Sequence, residues 1–97
     1  MANYVKLYDW MAPLPLEERA VYAVVHQLTE HGTGYWGSMK ALSERLNIPK
    51  SRCKQAIDHL IQEGAIIVTR ENILHQDRRV YKATEHFAKR LQNYQNP

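Results

Sequence analysis

The sequence predicts a mainly α-helical domain with a small β-hairpin in its C-terminal half. Between residues 16 and 63, apolar side chains recur at spacings of three, four and seven, as on the buried side of a helix. After Gly64 the pattern changes to the β-branched run of residues 65–70, which is typical of a strand. With 97 residues, 44% of them hydrophobic, the chain suffices for one modest core, so we expect a single domain over residues 1–97.

Residues 38–64 predict two short helices joined by a tight turn. Ser38 suits the N-cap of the first helix, and Gly64 suits the position just after the second. Between them, Asn47 tolerates a left-handed conformation and Pro49 favours the first turn of the next helix. The stripe of the second helix that we expect to be buried is formed by Cys53, Ala56, Ile57, Leu60 and Ile61. Spacing, caps and turn chemistry together predict a helix-turn-helix.

The other side of the second helix carries the donors and cations that are needed to read duplex DNA. In the major groove, guanine offers two acceptors to Arg or Lys, and adenine offers a donor–acceptor pair to Gln. We therefore predict base contacts from Ser51, Arg52, Lys54 and Gln55. The alternative, which the pattern leaves open, is a solvated face on an ordinary helical bundle.

Residues 16–30 predict the longest helix, which we expect to support the two-helix unit. Pro15 suits its first position, and Gly32 and Gly34 follow its end. Its inward stripe is expected to consist of Ala20, Val21, Val24, Val25 and Leu28. The aromatic residues 35–37 that follow predict a small strand or an ordered turn.

Apolar faces are also predicted at both ends of the chain. The N-terminal segment, residues 1–15, places Tyr4, Leu7, Tyr8 and Met11 on one helical face. The C-terminal helix and tail, residues 84–97, begin with Thr84 as a candidate N-cap and place Phe87, Ala88, Leu91 and Tyr94 on one face. We expect a homodimer through one or both segments, and packing on the same domain is the alternative.

A hairpin that directly follows such a two-helix unit is the wing of a winged helix. We expect its second strand at residues 80–83 and a loop at residues 71–79, with Asp77-Arg78-Arg79 at the tip and Ile73-Leu74 folded back onto the body. The residues expected to contact the DNA backbone, or to serve the wing, are Lys40, Lys50, Arg70, Arg78, Arg79 and Lys82.

The distribution of charge agrees with a phosphate-binding surface. The formal net charge is +3. Residues 38–82 carry nine basic and five acidic side chains, or +4, whereas residues 1–37 sum to −2 and residues 83–97 to +1. Cations are thus concentrated where the helix-turn-helix and the wing are predicted, as expected for a surface that displaces counterions from DNA.

Other classes of function lack their sequence signals. The single cysteine, Cys53, excludes an internal disulfide and lies on the stripe predicted to be buried. The five histidines lack zinc-ligand spacing, and there is no phosphate-cradling glycine loop and no Gly-x-Ser-x-Gly turn. No run has the length or apolarity of a signal peptide or membrane span. We expect a non-catalytic, soluble cytoplasmic protein, associated with the nucleoid when bound to DNA, without cofactor, metal or membrane contact.

The order of the predicted elements over residues 16–94 resembles the winged helix-turn-helix superfamily. LPLEERAVYAVV followed by GYWGSMKALSERLNIPKSRCKQAIDHLIQEGAI is similar to the helix-turn-helix domains of phage and plasmid replication proteins. DRRVYKATEHFAKRL resembles the wing and following helix of MarR-type transcription regulators, whose Asp-Arg wing reaches toward the minor groove. The resemblance implies that Ser51, Arg52 and Gln55 read bases and that Arg78 or Arg79 serves the wing.

Three functions follow from these patterns. The first is a small transcriptional regulator that binds specific duplex DNA through a recognition helix at about residues 50–63 and a basic wing at about residues 66–83. The second is an origin-binding module of a plasmid or phage replication or maintenance protein. The third is a winged-helix module for protein interaction, which would not bind DNA through the face around Arg52 and Gln55.

Overall fold

The computed structural model describes residues 7–95, and the side chains of residues 7–93. A 3₁₀ turn at Asp9–Met11 precedes the helices α1 (Leu16–Glu30), α2 (Met39–Leu46) and α3 (Lys50–Gln62). The strands β1 (Ile66–Ile73) and β2 (Gln76–Ala83) form one antiparallel hairpin, and the helix α4 (Glu85–Gln95) follows. The prediction of a mainly helical chain with one hairpin is confirmed.

The turn between α2 and α3 is built by the residues whose local chemistry predicted it. The Ser38 hydroxyl accepts a hydrogen bond from the backbone N–H of Ala41 at 3.0 Å, which caps α2. Asn47 ends α2 in the left-handed region (φ 56°), and Gly64 follows α3 with φ 79°. Pro15 and Pro49, expected as first helical residues, are instead the N-caps of α1 and α3.

The hydrophobic core lies where α1 packs against α3 and β2, with α2 packed on α3. Its fully buried side chains include Val21, Tyr22, Val24, Val25, Leu42, Cys53, Ile57, Leu60 and Ile66. Ile61 was expected on the buried stripe but is 36% exposed. The reason is that one residue turns about 100° around the helix axis, which carries its side chain past the edge of the contact with α1.

The wing is longer and tighter than the sequence indicated. Its strands pair from Ile66 opposite Ala83 to Ile73 opposite Gln76, so that only Leu74 and His75 form the turn. The expected loop at residues 71–79 is therefore mostly strand, and Asp77-Arg78-Arg79 lie on β2 rather than at the tip. Leu74 is 73% exposed, so the prediction that it folds back onto the body is wrong.

The base of the wing is tied to the helical body by backbone hydrogen bonds. Tyr35 and Tyr81 exchange two of them, each 2.8 Å long, which makes residues 35–37 a turn with a single β-bridge. The Thr29 hydroxyl on α1 accepts a further bond from the N–H of Ala83 at 2.9 Å. These contacts fix the direction in which the hairpin leaves the body.

Both end segments pack on the same chain where the structure describes them. The N-terminal segment forms only the 3₁₀ turn, which buries Met11 and places Trp10 edge-on against Tyr22. Leu7, expected on the inward face, is 56% exposed, and Tyr4 lies outside the described residues. On α4, Phe87 and Ala88 are buried, and Phe87 contacts Tyr22 with ring centroids 5.5 Å apart. The Tyr94 side chain also lies outside the description.

Candidate nucleic-acid interface

The N-terminal half of α3 presents the four side chains that were predicted to read bases. Ser51, Arg52, Lys54 and Gln55 are all exposed. On the opposite side of the helix, Cys53, Ala56, Ile57 and Leu60 are buried against α1 and α2. The apolar stripe therefore fixes the rotation of α3 and points its polar face outward.

Arg52 is held at one edge of this face by a carboxylate from α1. Its Nη1 lies 3.2 Å from Oε2 of Glu17, and the two side chains are 59% and 40% exposed. An ion pair this exposed contributes only about 0–1 kcal/mol, because water screens it and both long side chains lose freedom. The pair orients the guanidinium but can be exchanged for a contact with another acceptor.

Lys54 lies at the other edge and pairs within its own helix. Its Nζ donates to both carboxylate oxygens of Asp58, at 2.9 and 3.1 Å, across one turn of α3. Such i,i+4 pairs stabilise a helix by about 0.3–0.5 kcal/mol. The cations at both edges of the helix thus have carboxylate partners in the unbound protein.

His59 joins α3 to α1 on the same side as Arg52. Its Nδ1 lies 2.7 Å from Oε1 of Glu18, and its Nε2 lies 3.4 Å from Oε1 of Glu63. The hydrogen bond and the charge of Glu18 raise the pKa of His59, with a smaller contribution from Glu63. Sequence reasoning missed this contact because nothing in the spacing of α1 shows that Glu17 and Glu18 would face α3.

Two of the wing cations are paired across or along the hairpin. Arg70 contacts Oδ2 of Asp77 through Nη2 at 2.9 Å and Nε at 3.0 Å. Lys82 lies 2.6 Å from Oε2 of Glu71, and hydrogen bonds from Lys82 and then Thr69 lower the pKa of Glu71. These pairs brace the strands, and all four partners are at least partly exposed.

Arg78 and Arg79 lie where the wing meets the start of α2. The Arg78 guanidinium stacks 4.9 Å from the ring centre of Trp36, a cation–π contact that orients it. Arg79 is exposed, and a side-chain hydrogen bond with Tyr81 raises its pKa further. A surface depression joins these arginines to Trp36, Ser38 and Met39. The structure therefore brings the predicted wing cations next to the N-terminus of α2.

Lys40 and Lys50 are the remaining residues that were predicted to contact the DNA backbone. Both are exposed, at the beginnings of α2 and α3. The N-terminus of a helix favours anions because its first N–H groups have no partners within the helix. A lysine at that position adds a mobile positive charge to the same small region. Lys40 and Lys50 are therefore well placed to contact phosphates that approach either helix.

Three further titratable groups, His26, Tyr22 and Cys53, lie in the core. Burial lowers the pKa of His26 and raises that of the Tyr22 hydroxyl. The Cys53 thiol is buried, and burial raises its pKa as well, which makes it a poor nucleophile. Within the described part of the chain, no three His, Cys, Asp or Glu side chains are grouped to hold a metal ion, and no helix is long and apolar enough to cross a bilayer.

Comparison with known proteins identifies the architecture. No protein-family profile matches the sequence, and no curated protein matches it either. A MarR-family transcriptional regulator from Rhodococcus sp. RHA1 superposes with a TM-score of 0.58 at 16% identity, over 91% of this chain and 58% of that one. A MarR-like transcriptional regulator from Thermotoga maritima superposes with a TM-score of 0.57 at 18% identity, over 93% and 58%.

The fold is a winged helix. At these identities the comparison shows the fold alone, and the chain spans 58% of the length of each regulator. The likeness to the winged helix-turn-helix of MarR-type regulators that the sequence indicated is confirmed at that level. In this winged helix, α2 and α3 are the helix-turn-helix and the β1–β2 hairpin is the wing.

Proposed function

We propose that this protein is a single winged-helix domain that binds specific sites on duplex DNA as a small transcriptional regulator. The observation that carries the proposal is the polar, cation-bearing face of α3, which is exposed on a winged-helix fold while Arg78 and Arg79 adjoin the start of α2. Base edges in the major groove would meet α3, and phosphates would meet the wing and the helix N-termini. The proposed function is binding alone and includes no catalytic step or cofactor.

We assign base contacts and phosphate contacts to different side chains, according to their position and chemistry. Ser51, Arg52, Lys54 and Gln55 read bases from the first two turns of α3. Phosphates are contacted by Lys40, Lys50, Arg70, Arg78, Arg79 and Lys82. Guanidinium and amide groups can make the bidentate contacts that distinguish guanine and adenine, whereas the lysines supply charge without sequence preference.

The carboxylates beside these cations are compatible with DNA binding because the ion pairs are exposed. Glu17 would keep the Arg52 guanidinium oriented until a guanine or a phosphate replaces or shares the contact. The exchange is inexpensive since a surface pair contributes at most about 1 kcal/mol. A phosphate contact also releases counterions, which favours the complex at low salt.

We further propose that the protein acts in the cytoplasm, on the nucleoid, as a homodimer. A two-fold dimer would place two recognition helices on half-sites one helical turn apart, about 34–36 Å. The end segments are the candidate dimer contacts, and among their described side chains Leu7 is apolar and 56% exposed.

Selection from random duplex DNA tests the proposal directly. We expect a defined motif bound ~10³-fold or more above a scrambled duplex, with two related half-sites if the protein is a dimer. A steep salt dependence without a motif would instead indicate an architectural role. If no duplex binds at moderate salt, the proposal is wrong, and an interaction with protein becomes the better explanation.

Substitutions then separate base reading from phosphate contact. Arg52→Ala and Gln55→Ala should each weaken the selected site by about 1–3 kcal/mol and relax its sequence at one position. Arg78→Ala with Arg79→Ala should weaken all duplexes alike and reduce the salt slope by about one for each lost contact. His31→Ala, an exposed side chain at the end of α1 and outside both the DNA face and the end segments, serves as the control and should leave binding unchanged.

A further inference from the structure

The apex of the wing carries an apolar side chain where asparagine or glycine is usual. β1 and β2 are joined by Leu74 and His75, whose φ angles are 53° and 64°. A two-residue hairpin turn with both residues in the left-handed region strongly favours Asn-Gly, because other side chains adopt this conformation poorly. Leu74 nevertheless occupies the first position and is 73% exposed. The hairpin thus presents a leucine to solvent in a backbone conformation that disfavours it.

We propose that Leu74 is an apolar wedge that enters the minor groove and partly unstacks two base pairs. This inference rests on the proposed function and adds to it the way in which the wing contacts DNA. Proteins that bind the minor groove insert Leu, Ile, Met, Phe or Pro between base steps and kink the duplex toward the major groove. Strands of eight residues, each roughly 26 Å long, give the hairpin the reach for such a contact.

The charges around the apex favour DNA as the occupant. Arg70 on β1 and Arg78 on β2 each lie four residues from Leu74, and Arg79 follows. Arg70 pairs with Asp77 and the Arg78 guanidinium stacks on Trp36, so these cations lie along the hairpin behind the apex rather than at it. Guanidinium groups are attracted to the negative potential of a narrow minor groove and to the phosphates at its rims. His75, also exposed, adds a hydrogen-bonding ring at the second turn position. Against the carboxylates Glu71 and Asp77, the two strands carry Arg70, Arg78, Arg79 and Lys82, so β1 is neutral and β2 has a net charge of +2. The apolar tip thus belongs to a hairpin that is net positive, which suits the phosphates beside a groove.

Other occupants need more apolar surface than the apex offers. A stable protein contact buries about 800 Å² on each partner, and binding to a bilayer grows with the apolar area inserted. At the apex, Leu74 is followed by the polar residues His75 and Gln76, and Ile73 is only partly exposed. A single wedge suffices on DNA because phosphate contacts already supply most of the affinity.

The wedge also predicts a sequence preference at a position that no side chain reads by hydrogen bonds. Pyrimidine–purine steps such as TA and CA unstack most easily, so the site beneath the wing should contain one. Replacement of that step by part of an A-tract, which is stiff, should weaken binding about tenfold although every contacted base in the major groove is unchanged.

The test uses the whole chain and the duplex obtained by selection. The fluorescent base 2-aminopurine, whose emission rises when it is unstacked, is placed in turn at each base step outside the recognition motif. We expect fluorescence to rise at one step with the wild type and with Leu74→Met, which keeps an apolar wedge. With Leu74→Asn plus His75→Gly, which suits the turn better, we expect no rise, a smaller bend by energy transfer between end labels, and about tenfold weaker binding. The thermal midpoint of this double variant should be equal to or above that of the wild type.

Each result decides between explanations. If the wild type binds its site but no step brightens, or if the double variant binds and bends DNA as the wild type does, the wedge is wrong and the proposed function stands. If the wild type binds no duplex, both proposals fail. Sedimentation with vesicles of phosphatidylglycerol and phosphatidylcholine that is lost in Leu74→Ala, with DNA bending unchanged, would assign the apex to a lipid surface instead.

Discussion

The helical body and the outer half of the wing are built on different principles. In the body, side chains such as Leu42, Ile57 and Leu60 are fully buried between helices. In residues 70–79, all of them described, no side chain is buried, and the strands are joined by backbone pairing and exposed ion pairs. The body therefore carries the stability of the fold, and we expect substitutions in the outer wing to change the free energy of unfolding little.

The two faces of α3 differ in the same way: one is buried in the core, and the other carries exposed ion pairs. Its apolar stripe is part of the core, whereas Arg52 and Lys54 are held by exposed carboxylates and His59 by the partly buried carboxylate of Glu18. Exposed pairs contribute little to the free energy of unfolding, so the face can change partners without loss of the fold. Stability and binding can then be perturbed separately, and the following measurements test whether they are.

The largest effect is expected from a truncation in the body. Leu60→Ala removes a fully buried side chain between α1 and α3 and should lower the free energy of unfolding by about 2–5 kcal/mol. Leu74→Ala, the matched change at the exposed apex, should alter it by no more than about 0.5 kcal/mol. Urea denaturation followed by circular dichroism measures both. Similar losses for the two variants would show that the wing is part of the core.

The contrast also explains which parts of the fold could be predicted from sequence. The ends of α2 and α3 depend on local chemistry, such as the Ser38 cap, the left-handed Asn47 and the glycine at position 64, and these were predicted to within a residue. No side chain of the outer wing is buried, so its sequence lacks the alternation of apolar and polar residues that identifies a strand. Its polar residues therefore resembled a loop.

The candidate site was predictable only in part, for a related reason. The outward face of α3 follows from the period of its apolar stripe, so its exposed residues could be named. The contacts from Glu17 to Arg52 and from Glu18 to His59 depend on how α1 docks on α3, across 35 and 41 positions of sequence. No local pattern reports such a docking angle. The stacking of Arg78 on Trp36 was missed for the same reason.

A smaller effect is expected at the junction between body and wing. Gly34 has φ 84°, and a Cβ there would lie 2.6 Å from the carbonyl oxygen of Tyr81. Gly32 has φ 102° with open space around it. Alanine at either position costs about 1–2 kcal/mol for the backbone conformation, and Gly34→Ala should lose a further ~1–3 kcal/mol through the clash.

Hydrogen exchange locates that extra loss. In Gly34→Ala, the amides of Tyr35 and Tyr81 should lose protection because the clash separates the bridge between them, whereas Gly32→Ala should leave both protected. Equal unfolding free energies for the two variants would mean that the backbone at the base of the wing can shift to accommodate the added Cβ at no cost. The hydrogen bonds between Tyr35 and Tyr81 would then not hold the junction rigidly.

The smallest effect is expected from pH, because two histidines act in opposite directions. Burial lowers the pKa of His26 in the core below 6.5, so the unfolded chain binds the proton more readily and stability falls as the pH drops from 6.5 to the lowered value. Glu18 raises the pKa of His59 on α3 above 6.5, so its contribution is complete below 6.5 and is lost as the pH rises through the raised value. In thermal melts, His59→Gln should abolish only the loss of stability that occurs as the pH rises above 6.5. Glu30→Gln removes the carboxylate 3.6 Å from His26, so it should enlarge the loss of stability that occurs as the pH falls below 6.5. If His59→Gln also removed the acid-side loss, the buried histidine would not be its source, and the assignment of that loss to the body would fail.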